Sequence, residues 1–179
     1  MTWTIVVLAV LALVLWSFYV SWRASRLDRL HNRVEAARTA LDLALVRRAS
    51  AASDLASSGL LDPATSLLLG DAVRRARQAD PAERDRAESD LTRALRATLG
   101  EPGFRKALLA ESDEGGAELL EEVENAARQV FIARKFYNDL AGRTIDARRR
   151  PLVRVLRLAG SARQPQFFDI DDALTDDES

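Results

Sequence analysis

The chain has 179 residues, of which 47% are hydrophobic and 30% charged, and its formal net charge is -1 at pH 7. Such a balance provides no global attraction to nucleic acid. The lack of cysteine excludes disulfides, thiolate zinc and iron–sulfur sites, and the single histidine, His31, excludes a di-metal site built on Glu-x-x-His pairs. Since no nucleophile–base pair or phosphate-binding loop is visible, we predict no catalytic activity and no cofactor.

The first predicted element is the uncharged segment 1–22, which has Trp3 near one end and Trp16, Tyr19 and Trp22 near the other. A helix from Trp3 to Trp22 is about 30 Å long, which matches the hydrocarbon core of a bilayer. Aromatic side chains at both ends suit the two membrane interfaces. A cleaved signal sequence is the alternative, but no basic residue precedes the run and no small-x-small cleavage site follows it. We therefore predict a retained, single-pass membrane anchor.

Basic residues flank this segment on one side only, at Arg23, Arg26, Arg29 and Arg33. Under the positive-inside rule, this asymmetry predicts an N-terminus outside and the rest of the chain facing the cytoplasm, at the inner membrane. The side chains that we expect at the membrane interfaces are Trp3, Trp16, Tyr19, Trp22, Arg23 and Arg26.

Helical spacing continues directly from the apolar segment. One seam is formed by Leu27, Val34, Leu41 and Leu55, and Arg48 interrupts it. Nothing before Ser58 would break a helix, so we expect the first helix to run through the anchor and to end at Gly59.

Two shorter helices are predicted next, each preceded by an Asp-Pro pair that can cap a helix start. The second helix, from Pro63 to about Ala79, is expected to bury Leu67, Leu68, Ala72, Val73 and Ala76. Asp80 to Glu83 resembles a capping box, and the third helix then carries Ala87, Leu91, Leu95 and Leu99 on one face.

A second long helix is predicted at 117–149, ended by Pro151. Its apolar stripe consists of Leu120, Val123, Ala127, Val130, Arg134, Tyr137 and Ala141, broadened by Phe131 and Leu140. Since strand signals are missing, we predict an all-α fold in which an N-terminal transmembrane helix continues into an antiparallel up-and-down bundle of about four helices, two of them long. This topology returns the end of the fourth helix to the membrane-proximal end of the first.

The predicted organisation is an anchor at 1–22, a bundle at 23–150, and a basic amphipathic segment with a disordered acidic tail at 151–179.

Three motifs of the chain resemble the LemA family. They are the juxtamembrane sequence 30–37 (LHNRVEAA), the late sequence 133–138 (ARKFYN) and the closing Phe167-Phe168-Asp169. The chain is identified as a divergent member, since Thr144-Ile145 stands where the family usually repeats Tyr-Asn. The resemblance implies a helical bundle on an N-terminal anchor, without an established enzymatic activity.

Three sets of residues are candidates for function. Basic side chains near the end of the bundle are expected to face anionic lipid, although the apolar side of the same segment would equally cap the bundle core. They are Arg148, Arg149, Arg150, Arg154 and Arg157. A polar layer inside the bundle is predicted to combine Arg134, Tyr137 and Asn138 with Asp42 or Glu35, and a ligand pocket is the alternative. Phe167 and Phe168 form either a lid or an exposed docking site.

Together these features predict a scaffold or adaptor without catalytic activity, held at the lipid bilayer and bound to a membrane or cytoplasmic protein. The alternative function is a membrane-surface module that binds anionic lipid through the arginine-rich C-terminal segment. No nucleic-acid partner is expected, and the alanine-rich seam of the first helix leaves homo-oligomerisation open.

Overall fold

The structure is a computed structural model that describes residues 2–101, 103–104, 115–155 and 163–172. All regular elements within these ranges are helices, in agreement with the predicted all-α bundle. The four main helices are α1 (Thr2–Ser57), α2 (Pro63–Gln78), α3 (Arg84–Leu99) and α4 (Gly115–Arg149), and a short α5 (Pro151–Val155) follows. As predicted, two of them are long, with 56 residues in α1 and 35 in α4.

The start of α1 is apolar and exposed. Within the described residues, α1 is the one helix that is long and apolar enough to cross a membrane, with a mean hydropathy of 2.4 over its most apolar window. A membrane anchor and a signal sequence share these properties. None of that window is buried against the rest of the chain, so the segment takes no part in the protein core.

Local signals explain where α1 ends and α2 begins. Gly59 has a positive φ of 78°, a conformation that glycine adopts without strain, and it follows the last turn of α1 as predicted. A carboxylate oxygen of Asp62 accepts the backbone N–H groups of Ala64 and Thr65 at 2.9 and 3.1 Å. Hydrogen bonds from Thr65, first from its side chain and then from its backbone N–H, lower the pKa of Asp62 below its ordinary value.

The predicted start of the third helix is wrong by about one turn. Residues 81–83 form a turn, and α3 begins only at Arg84. The backbone N–H of Glu83 donates to the carbonyl of Asp80 at 2.9 Å, and the Glu83 side chain makes no capping hydrogen bond. The capping-box pattern therefore marks the tight turn that precedes the helix.

The chain divides into two compact units. The first unit consists of Met1–Ala37 and Asn138–Phe167, and the second consists of Arg38–Tyr137 and Phe168–Ser179. The main hydrophobic core lies in the second unit, where the end of α1, helices α2 and α3 and the first part of α4 pack together. Its larger members are Leu55, Leu61, Leu69, Val73, Leu91, Leu95 and Val123.

Two parts of the predicted core face are wrong. Leu67 and Leu68 of α2 are 76% and 70% exposed, while Leu69 is fully buried. The buried face of α2 runs from Leu69 through Val73, and a helical rotation of about 100° per residue turns Leu67 and Leu68 away from it. Phe131 of α4 is also exposed, whereas Leu140 is buried as predicted.

Candidate anion-binding groove

A groove lies in the first unit, between residues 22–33 of α1 and the end of α4. Its volume is about 620 Å³. Its lining residues are Trp22, Arg26, Leu27, Arg29, Leu30 and Arg33 of α1, Arg143, Asp146, Ala147 and Arg150 of α4, and Val153 of α5. The groove confirms that the end of the fourth helix returns to the part of α1 that directly follows the apolar segment, as the up-and-down topology predicted.

The groove is strongly cationic. Five of its side chains are arginines and one, Asp146, is a carboxylate. Arg143 forms an ion pair with Asp139 at 2.9 Å, and Arg29 donates to the carbonyl of Ser25 at 3.3 Å. All five arginines are exposed, so solvent and salt screen their mutual repulsion. The arrangement favours an anion bound among them.

Beneath the arginines the groove is apolar. Leu27 and Val153 are buried, and Leu30 is half-buried between the charged positions of α1. Trp22 lines the end that adjoins the apolar segment. The site therefore combines a cationic rim with an aliphatic floor.

Beside the groove, the structure brings together two residues that are far apart in the sequence, Arg148 and His31. An Nη of Arg148 lies 3.2 Å from Nε2 of His31, and the same nitrogen donates to the carbonyl oxygen of Arg163 at 3.3 Å. Both side chains are half-buried. No spacing rule links positions 117 residues apart, and only the bundle topology brings them near one another.

The predicted lipid-facing arginines divide into three groups. Arg149, Arg150 and Arg154 are exposed, and Arg150 lines the groove. Arg148 is half-buried through the contacts just described. Arg157 lies outside the described residues. Val153 is buried in the same short stretch. The side chains that the alternative interpretation places against the bundle core, Leu152, Val155 and Leu156, lie outside the described part of the structure.

Among the predicted interface residues, the aromatic side chains Trp3, Trp16 and Trp22 are exposed and Tyr19 is half-buried. The rings of Trp16 and Tyr19 lie 6.3 Å apart. Arg26 lines the groove, and the side chain of Arg23 lies outside the described part of the structure.

The predicted carboxylate partner of Arg134, Asp42 or Glu35 of α1, is wrong. Arg134 donates through Nε and Nη to the Asp172 carboxylate at 2.6 and 2.9 Å, and Asp42 pairs with Arg84 of α3 at 3.1 Å. Tyr137 is buried and Asn138 half-buried on α4. Because the prediction paired α4 with α1 alone, it missed a carboxylate from the C-terminal segment.

The buried polar layer of the second unit is instead centred on Arg48, which is only 1% exposed. Arg48 donates to Oγ1 of Thr92 at 2.7 Å, to Oε2 of Glu88 at 2.7 Å and to the Glu88 carbonyl at 3.1 Å. Burial raises the pKa of Glu88 above its ordinary value, since desolvation outweighs the attraction of the nearby guanidinium. The interruption of the α1 seam at Arg48 was the available sequence signal.

The C-terminal segment packs against α3 and α4, so the expectation of a solvated tail is wrong for its described part. Asp171 pairs with Arg96 at 2.8 Å, and the backbone N–H of Asp171 donates to Oγ of Ser89 at 3.2 Å. Ile170 and Asp172 are buried. We name residues 168–172 the C-terminal strap. Residues 173–179 lie outside the described ranges.

The two tail aromatics differ in exposure. Phe167 is exposed, and its ring lies 3.7 Å from the point where a Cβ at Gly142 would stand. Phe168 is half-buried at the start of the strap. The Phe167 ring therefore packs on α4 at Gly142, where an added methyl group would make an ordinary van der Waals contact with it.

Comparison with protein-family models, with curated proteins and with solved structures finds no match to this chain. The resemblance to the LemA family stays a prediction from motifs. Within the described residues, no group of three or more histidine or acidic side chains is arranged to hold a metal ion.

Proposed function

We propose that this protein is a membrane-anchored helical scaffold or adaptor without catalytic activity, and that it is a divergent member of the LemA family. The anchor is the apolar first part of α1, and the bundle lies on the cytoplasmic side of the inner membrane. The motifs at 30–37 and 133–138 support the family assignment, and the arginines after Trp22 support the orientation.

The observation that carries the scaffold proposal is the exposure of large apolar side chains on the second unit. Leu67 and Leu68 of α2 project into solvent, and Ile132 and Phe136 do so on α4. Exposed aliphatic and aromatic side chains that adjoin one another on a helix are typical of protein-docking surfaces. They contribute nothing to the core described above.

Site-specific photocrosslinking in native membranes tests this proposal. Amine-reactive reagents have only Lys106 and Lys135 to attack among side chains, so a photoreactive residue is placed at Leu68 or at Phe136 of the full chain. Arg128, exposed but polar, serves as the matched control position. We expect one reproducible crosslinked product at Leu68 or Phe136 and none at Arg128. A product of twice the chain mass identifies a second copy as the partner, whereas no reproducible product at either apolar position contradicts the scaffold role.

A second function, binding of anionic lipid at the membrane surface, is favoured by the exposed Arg149, Arg150 and Arg154 and by the groove. Each arginine near an anionic leaflet contributes on the order of 1 kcal/mol of binding free energy. The two functions are compatible, because lipid contact would hold the bundle while its apolar side chains meet a protein.

A further inference from the structure

The groove of the first unit is lined by five arginines and only one carboxylate, so most of its positive charge is not neutralised by its own residues. Arg26, Arg29 and Arg33 follow one another at spacings of three and four along α1, which places them on neighbouring positions of one helix side. Like charges at these spacings destabilise a helix. Among the described residues, no carboxylate forms an ion pair with Arg26, Arg33 or Arg150. An external anion would remove this repulsion.

The shape and chemistry of the floor restrict which anion fits. A volume of about 620 Å³ lies within the range of small-molecule sites and exceeds what one inorganic phosphate fills. Leu27 and Val153 provide an aliphatic floor that a free phosphate would leave unused. A ligand with a phosphate next to aliphatic carbon uses both parts.

The location of the groove points to the source of that ligand. Arg26 follows Trp22 by four residues, which is about 6 Å along a helix. If the apolar segment spans the bilayer, as the proposed function requires, the groove lies at the level of the lipid phosphates. An open groove at this depth meets lipid headgroups before any other phosphate.

We propose that this groove binds the headgroup of one anionic glycerophospholipid, an inference that rests on the proposed membrane anchor. Arg26, Arg33 and Arg150 hold the phosphate, because guanidinium groups match phosphate oxygens in bidentate geometry. The glycerol and the first acyl carbons lie over Leu27 and Val153. Trp22 lies at the end where the acyl chains leave the groove.

Tryptophan quenching in reconstituted vesicles tests the proposal on the full chain. Trp3→Phe and Trp16→Phe leave Trp22 as the single tryptophan beside the groove. The protein is placed in phosphatidylcholine vesicles that contain a small, equal fraction of nitroxide-labelled phosphatidylglycerol or nitroxide-labelled phosphatidylcholine. A second reporter that keeps only Trp3, at the far end of the apolar segment, is the positional control.

We expect the labelled phosphatidylglycerol to quench Trp22 more strongly than labelled phosphatidylcholine does, with no such preference at Trp3. The triple variant Arg26→Gln, Arg33→Gln, Arg150→Gln lowers the local enrichment of phosphatidylglycerol at least about fivefold, the contribution of one surface arginine. The matched variant Arg38→Gln, Arg86→Gln, Arg128→Gln makes the same change in net charge at exposed positions outside the groove. It keeps the preference.

The other outcomes overturn the proposal in distinguishable ways. Equal quenching of Trp22 by both lipids, or a preference that survives the groove variant, removes the groove as a lipid site while the anchor stands. No quenching by either lipid contradicts the anchor itself. If soluble glycerol phosphate abolishes the preference at a concentration no higher than that of the labelled lipid, the groove gains nothing from the acyl carbons over a free phosphate ester, which contradicts the lipid assignment.

Discussion

At the scale of single residues, Arg48 is the least exposed charged side chain among the described residues of the second unit. Its guanidinium lies against Glu88 and Thr92, and its Nε has no hydrogen-bond partner among the described residues. An incompletely satisfied buried ion pair contributes little net stability, because desolvation offsets the mutual attraction. The raised pKa of Glu88 points the same way. The pair is therefore expected to specify which helix faces meet more than to stabilise their packing.

This account predicts strong non-additivity between Arg48 and Glu88. Arg48→Met or Glu88→Leu alone leaves one buried charge without its partner and lowers the free energy of unfolding by about 3–5 kcal/mol. The double variant restores most of that loss, because both charges are gone. Denaturant unfolding of the full chain in detergent micelles measures the cycle. A double variant that loses the sum of both single effects would show that the two charges are not coupled, which contradicts this account.

The seam positions of α1 illustrate what residue patterns could predict. Their spacing predicts that Leu27, Val34, Leu41 and Leu55 lie in the core, and all four are buried. Arg48 was recognised as an interruption, but its partners come from α3, 40 and 44 residues further along the chain. Helical spacing orders residues within one helix and contains no information about which helix lies opposite.

At the scale of elements, the C-terminal strap extends the second unit beyond its helices. Asp172 and Arg134 form the less exposed of two ion pairs that hold the strap. Their side chains are 5% and 22% exposed. Asp171 and Arg96 form a more exposed pair, at 45% and 28%. Buried pairs lose more than exposed ones when one partner is removed. The strap therefore depends mainly on Asp172.

Asp172→Asn is expected to release the strap from α3 and α4. The substitution keeps the size of the side chain but leaves the Arg134 charge without a carboxylate, so faster amide exchange is expected at residues 169–172. The loss of stability is about 1–3 kcal/mol. Asp171→Asn is the matched control and costs less than about 1 kcal/mol. Hydrogen exchange measured by mass spectrometry on both variants checks that Asp172→Asn loosens the strap more than Asp171→Asn does. Equal protection in the two variants would contradict this expectation.

Helix boundaries and helix phases were predictable to different degrees. The Asp62 cap and the Gly59 terminator act within a few residues, and the structure contains both where the sequence indicated them. The inward face of α2 depends on its rotation against α1 and α3, so Leu67 and Leu68 were misplaced. The strap was missed for a similar reason. A run of aspartates favours solvent unless arginines from other helices meet it, and Arg96 and Arg134 are such partners.

At the scale of the whole molecule, the topology of the bundle determines where the arginine groove forms. Because α4 runs back toward the start of α1, its last turns meet the residues that follow the apolar segment, and His31 comes within reach of Arg148. The up-and-down topology could be predicted from helix number and short connections. The groove itself could not, since its lining combines α1, α4 and α5 residues whose mutual rotation no periodicity defines.

We propose above all that the apolar start of α1 is a retained anchor with the bundle on the cytoplasmic side. The natural absence of cysteine allows single reporters, Thr2→Cys at the start of α1 and Ala64→Cys on the exposed side of α2. In intact cells, we predict that a membrane-impermeant maleimide labels Thr2→Cys and spares Ala64→Cys, while lysis exposes both. Labelling of Ala64→Cys in intact cells, or loss of Thr2→Cys by cleavage, would contradict the account.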